Sequence, residues 1–420
     1  MKLIGYILIV ISFFSANKTI SAQSFNQDTV LINIPDAEQR FVNKNLTLLI
    51  NKYNIDIAKA NYLQAKLWYN PNLSYWQEMY SPITKKVFSA SDESGGQIQQ
   101  LFSLAGKHNA TWKLAEVGVK LAEYQLADLL RNLKYELHTD ISDLYYNQQL
   151  IKMYRDEEVK IKHLLESTQE LFKHGDVAKG DVIQLQAQLQ DLIAQEMTSQ
   201  QATNNDEQDL KILLLYPEKT YFVVKELPTV KNDLPTYHAV LDSAEKNRPD
   251  LLLSYAGSEY AQKNLKLQRV TAVPDLSLST TYESANDYAP YFWGIQASMD
   301  LPVWNRNQWN IKAAKYGTMQ AELTDSLTFN TVKNQVTNAY CTLLLTNKQL
   351  NQIDPQYGND LNEMMNNAVK NFENHNINLL TLLSYINTYN DGKTNLINLQ
   401  VQYYNAIHNI NLNTGIELIK

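Results

Sequence analysis

The chain has 420 residues, 37 basic and 44 acidic, a formal net charge of −7 and a single cysteine. A mildly acidic chain without basic clusters is a poor nucleic-acid binder, and one cysteine (Cys341) allows no intramolecular disulfide. With 13 Gly and 11 Pro, the composition points to mainly helical structure.

Lys2, the apolar run Leu3–Phe14 and the small residues ending at Ala22 read as a secretory signal peptide over 1–22. Its removal takes away Lys2 and Lys18 and no acid, so the exported chain is more acidic still. No cysteine follows the cleavage site, so no lipid is attached there through cysteine. No later stretch is long and apolar enough to span a bilayer as a helix.

Residues 23–215 form a first structural repeat. Apolar spacing predicts a helix over Asp36–Tyr69, stopped by Pro71, and strands at about 72–80 and 96–104. The second strand alternates less cleanly, because Gln100 falls among Ile98, Phe102 and Leu104. Leu126, Leu130, Leu133, Leu137, Ile141 and Leu144 then recur at helical spacing. A helix from Lys107 to about Lys173 is on the order of 100 Å long at 1.5 Å per residue. It ends at a turn over His174–Gly180, and a second helix returns through Leu185, Leu189 and Leu192. Residues 216–235, with Pro217 and Pro228, read as a connector.

Residues 236–420 repeat the pattern. Leu48 answers to Leu251 and Pro71 to Pro274; Phe102 answers to Leu301, Lys107 to Arg306, and Phe172 to Phe372. The repeated strands, about 275–284 and 291–301, alternate best of all. Leu276, Leu278, Thr280 and Tyr282 share one face, as do Trp293, Ile295, Ala297 and Met299; the opposite faces are small or polar, including Gln296 and Ser298. Such a sheet suits lipid on one side and water on the other. An ordinary hairpin packed on a soluble core is the alternative. Four strands cannot close a barrel, and an open sheet edge cannot sit in lipid, so a membrane location requires several chains. Three chains pool 12 strands. Because each strand pair begins and ends in helix, the long helices must project on one side.

The whole exported chain resembles the outer-membrane factor (TolC-like) family. The resemblance rests on the doubled architecture and on Pro-Asn/Asp-Leu-Ser opening each strand pair. Two strand-to-helix motifs add to it: Leu104, Ala105, Gly106, Lys107 and His108 in the first half, and Leu301, Pro302, Val303, Trp304, Asn305, Arg306, Asn307 and Gln308 in the second. They are similar to the LGGKR and LPLFDRNQ signatures of the branch serving heavy-metal cation RND efflux pumps. The resemblance implies a mainly α fold with a small transmembrane β part. It implies a homotrimer with a 12-stranded β-barrel in the outer-membrane lipid and a periplasmic α-helical barrel. The implied partners are a periplasmic adaptor (membrane fusion) protein and an inner-membrane RND-type pump, and the implied role is a passive exit duct with metal cations as one cargo class. A protein-secretion duct and a soluble periplasmic coiled-coil or adaptor protein are the alternative readings.

On this resemblance the turn after each long helix becomes a periplasmic tip. His174, Gly175, Val177 and Asp181 in the first copy, and Asn374, His375 and Ile377 in the second, are the candidate adaptor contacts. His375 stands where the first copy has glycine. Thr381 and Ser384 occupy candidate gate positions where some members carry aspartates. Pro355 and Gly358 predict a break in the second long helix.

The remaining chemical signals are weak. Gly175 and Gly180 have phosphate-loop spacing, but Asp181 and Val182 replace the Lys-Ser/Thr that a phosphate loop needs. The seven histidines show no zinc-site spacing, and those at the tips, His174 and His375, read as solvated turn residues. No nucleophile–base grouping emerges. The sequence therefore predicts no enzyme, cofactor or resident metal.

Overall fold

A computed structural model describes residues 28–80, 82, 85, 87–88, 93–227, 234–284 and 290–419. The signal-peptide reading over 1–22 lies outside the described residues, as do Pro228 and residues 285–289.

In chain order the elements are β1 (Asp28–Ile32), α1 (Ile34–Lys44), α2 (Leu46–Ala65), β2 (Asn72–Gln77), β3 (Ser94–Phe102), α3 (Lys107–His174) and α4 (Lys179–Leu214). They continue as β4 (Thr220–Val224), α5 (Tyr237–Asn247), α6 (Pro249–Thr271), β5 (Leu276–Glu283), β6 (Phe292–Met299), α7 (Gln308–Gln352), α8 (Tyr357–Glu373) and α9 (Leu379–Thr414). The order helix, strand pair, long helix, returning helix occurs twice.

The single helix expected over Asp36–Tyr69 is two helices. Asn45 leaves helical geometry, at φ −61° and ψ 117°. Its Oδ1 accepts from Leu48 N at 3.0 Å, capping α2, while its Nδ2 donates to Leu213 O at 3.0 Å on α4. The second half breaks at the equivalent place, Arg248, where Pro249 starts α6. Buried Arg248 holds Asp250 at 2.8 Å and donates to Asn413 Oδ1 at 3.0 Å on α9. Each break is thus fixed by a polar side chain reaching a neighbouring helix.

Residues 216–235 are not merely a connector. They contain β4, which pairs in parallel with β1, Asp28 against Thr220 through Ile32 against Val224. Thr220, Phe222 and Val224 point inward, and Phe222 packs with Phe41, Leu137, Ile141 and Leu144 in one buried cluster.

The second long helix breaks between Gln352 and Tyr357. Ile353 turns extended at ψ 130°, ahead of Asp354 and Pro355, and Asp354 Oδ1 accepts from Gln356 N at 2.8 Å to restart the helix. From there α8 packs on α9. A second cluster, with Val332, Val336, Leu343, Ile407 and Ile410, joins α5, α7 and α9. A third, with Ile161, Leu164, Leu185, Leu192, Met365, Leu382 and Ile386, holds the four helix arms together near the tips.

The four remaining strands form one antiparallel sheet in the order β2-β3-β5-β6. β3 and β5 join the two repeats, and Ser94 Oγ lies 2.7 Å from Ser284 Oγ at their far end.

Candidate functional site: the sheet wall and the helical tips

The register places the alternating residues of both repeats on common faces. Leu276 stands opposite Met299, Leu278 opposite Ala297, Thr280 opposite Ile295 and Tyr282 opposite Trp293. On β3 and β2 the same face continues through Phe102, Ile98, Leu73 and Tyr75. Among the described residues nothing covers this apolar face: Ile295 is 89% exposed, and Trp293, Leu73 and Tyr75 are also exposed. Gln100 also lies on it, but at its helix-side end, where its Nε2 donates to Tyr69 O at 3.0 Å.

The opposite face carries Ser74, Gln97, Gln99, Ser279, Gln296 and Ser298. It also holds two aromatic rings that alternation alone hides. Trp76 lies over Gly95, where an added Cβ would come 2.2 Å from the ring, and Phe292 lies beside Gly294. Among the described residues β2 pairs only with β3 and β6 only with β5, so both sheet edges present unpaired backbone. No helix among the described residues is long and apolar enough to cross a membrane.

The strand-to-helix motifs do structural work at the sheet's base. Gly106 (φ 73°) and Asn307 (φ 57°) turn the chain left-handed to start α3 and α7. Asn307 Nδ2 donates to Gln268 O at 2.7 Å, tying the turn to α6; Asn305 Oδ1 accepts from Asn307 N at 3.1 Å, and Gln308 Oε1 accepts from Arg306 N at 2.8 Å. Lys107 pairs with Asp275 at 2.7 Å, linking the first repeat's motif to the second repeat's strand entry. Pro302 sits exposed in the segment before the turn.

At the other end, the two tips share one backbone geometry despite their different sequences. Gly175 (φ 85°) ends α3, with Asp176 N donating to Leu171 O at 3.0 Å. His375 (φ 57°), following Asn374, ends α8 in the same way, with Asn376 N donating to Asn371 O at 2.8 Å. The returning helices are capped differently. Asp181 accepts from Ala178 N at 3.2 Å, whereas Asn378 Oδ1 accepts from both Thr381 N and Thr381 Oγ1 at 2.9 Å. Candidate gate residue Thr381 is thus engaged in its own helix cap, while Ser384 lies exposed one turn on.

Between the two hairpins lies a groove of about 640 Å³. Its walls include Leu164, Val177, Phe372, Ile377 and Leu379, and its rim includes His163, His174 and His375. Val177 and Ile377 are half-buried, and Ile377 packs against the tip-side cluster. Among the described residues no group of three histidines, cysteines or carboxylates could hold a metal ion.

The middle of the helical region contains buried or half-buried acids that the sequence does not mark. Glu157 on α3 is 1% exposed, with neither carboxylate oxygen hydrogen-bonded. Burial raises its pKa to about 7 against the opposing pull of Asn390 and Lys160. Burial raises Asp140 to about 7 as well, reinforced by Glu136, Asp209, Asp206 and Asp143. Nearer the sheet, His138 bridges Glu38 (2.7 Å) and Tyr404 (2.9 Å) and stacks on His408 at 3.8 Å. Burial, with His138 alongside, pushes His408 down to about 3.

Residues 240–415 match the family model of the outer membrane efflux proteins. The fold is that of an outer-membrane efflux channel. The Campylobacter jejuni CmeC outer membrane channel superposes with a TM-score of 0.73 at 17% identity, covering 93% of this chain and 86% of that one. The open state of the Neisseria gonorrhoeae MtrE outer membrane channel gives 0.73 at 14%, covering 92% and 89%. A membrane protein from Pseudomonas aeruginosa gives 0.77 at 15%, covering 91% and 90%. No curated protein matches the sequence.

Proposed function

We propose that this chain is a passive exit duct of the outer membrane, working as a homotrimer. The observation that carries the reading is the sheet: one exposed apolar face, one polar face and two open edges. Joining β6 of one copy to β2 of the next removes every edge and closes 12 strands around the polar face. The helices then extend together into the periplasm, with six hairpin turns at their far end. The duct performs no chemistry of its own; a periplasmic adaptor and an inner-membrane RND-type pump supply engagement and driving force. The tip groove, with Val177 and Ile377 on its wall, is the adaptor contact. Metal cations are the proposed cargo class, on the likeness of the two strand-to-helix motifs to that branch; those motif residues themselves turn strand into helix.

Native mass spectrometry of the detergent-extracted protein tests the core of this reading. A mass of three chains is expected, and a stable monomer soluble without detergent refutes it. For the cargo, a deletion strain should become more sensitive to divalent metals than to organic toxicants; the reverse order overturns the metal assignment and leaves the duct.

A further inference from the structure

The flanks of the four-stranded sheet differ in charge from the rest of the chain. Residues 59–71 and 263–275 lead into the two strand pairs, and residues 103–120 and 300–315 lead out. Together these segments hold 11 lysines and arginines against 3 acidic residues, in a chain whose net charge is −7. One of those acids, Asp275, is paired with Lys107. Lys66, Lys113, Arg306 and Lys312 make no ion pair among the described residues. At the opposite strand ends the described charges include Glu78, Glu93 and Glu283.

The same flanks expose aromatic rings. Trp304 is 89% exposed, and Trp68, Tyr69 and Trp309 are exposed too. Two of the cations lie against aromatic rings: Lys66 Nζ is 4.1 Å from the centroid of half-buried Tyr62, and Lys312 Nζ is 5.2 Å from that of exposed Trp309. The collar continues the apolar face of β6, through exposed Met299, Leu301, Val303 and Trp304. An aromatic-and-cationic band bordering an apolar face matches a layer that is hydrocarbon on one side and anionic on the other. Surface lysines alone would need no rings, and rings packed for stability alone would not stay exposed.

We infer that this collar binds anionic phospholipid headgroups of the leaflet facing the helices, fixing the barrel's depth. The inference rests on the exit-duct reading. Each cation near an anionic surface contributes about 1 kcal/mol, or about fivefold in retention.

The test titrates the detergent-solubilised trimer with phosphatidylglycerol or phosphatidylethanolamine and counts retained lipids by native mass spectrometry. The wild type should retain the anionic lipid at least about fivefold better. A variant combining Lys66→Gln, Lys113→Gln, Arg306→Gln and Lys312→Gln should lose that preference, with trimer mass and unfolding temperature in detergent alone unchanged. Should the fourfold variant fail to assemble, Lys312→Gln by itself should still lower the preference. Equal retention of both lipids by the wild type, or an unchanged preference in assembled variants, overturns the inference. Unchanged lipid retention with altered single-channel ion selectivity also overturns it, by placing the cations on the lumen. Failure of the wild type to form a detergent-dependent trimer counts against the exit-duct reading itself.

Discussion

Glu157 offers a direct measure of how tightly α3 and α9 are packed. Its carboxyl is 1% exposed and held up at about 7 by burial, against an ordinary 4.5. An acid whose folded pKa is raised stabilises the fold below its ordinary value and loses that contribution as pH climbs through about 7. The interval corresponds to about 3 kcal/mol once the group is ionised in the folded state, an order-of-magnitude figure. Glu157→Gln keeps the shape and removes the ionisation, and its amide can donate towards buried Asn390 Oδ1, which has no hydrogen-bond partner. Thermal unfolding of both proteins should be followed by circular dichroism in one detergent, at about pH 4 and about pH 8.5. The variant should match the wild type at the lower pH and exceed it by a few degrees at the higher. Asp140 and Asp206, both raised chiefly by burial, remain in the variant and keep a slope of the same sign, so the difference between the proteins is the quantity to read. Parallel pH curves for the two proteins would refute the burial argument.

Three further outcomes follow from the geometry. Ile295→Arg on the apolar face should cost about 2–4 kcal/mol of membrane-folded stability and Gln296→Arg far less; equal losses of folded trimer would reverse the face assignment. His375→Gly should stabilise the second tip by about 1 kcal/mol by relieving a left-handed histidine, whereas Gly175→Ala should destabilise the first, as read by hydrogen exchange at each turn; no change at either turn would contradict the shared cap geometry. Charge at both groove positions, Val177→Asp with Ile377→Asp, should leave trimer yield intact and abolish export, measured on the same cells. Full export with normal trimer would remove the contact role, and lost trimer would make Ile377 a packing residue only.

The features legible in the sequence are those whose cause is local. Strands β5 and β6 are visible because alternation needs only neighbours along the chain, and α3 because Leu126–Leu144 repeats at helical spacing up to a turn glycine. The break before α8 is visible in Pro355. The breaks at Asn45 and Arg248 are not, because apolar periodicity runs through both and the deciding bonds go to Leu213 and Asn413, far along the chain. Strands β1 and β4 are five residues each and define one another across the whole first repeat. At the tips, the lost glycine at position 375 suggests a different turn, yet the backbone bonds of the first copy recur because histidine can occupy the same left-handed region. Glu157 looks like any solvated helix acid until α9 covers it.

The parallel pairing of β1 with β4 also bears on the order in which the molecule can be made. Residues 28–32 emerge early in synthesis, but their hydrogen-bonding partners at 220–224 arrive only after both arms of the first hairpin. Contacts this distant in sequence close slowly, because the intervening chain must first be organised. Until then β1 is a nascent strand with a bare backbone edge, and its shortness limits the harm such an edge can do. Closing it clamps the start of the first repeat to the link that leads into the second, so the first half cannot reach its final topology while that link is still missing.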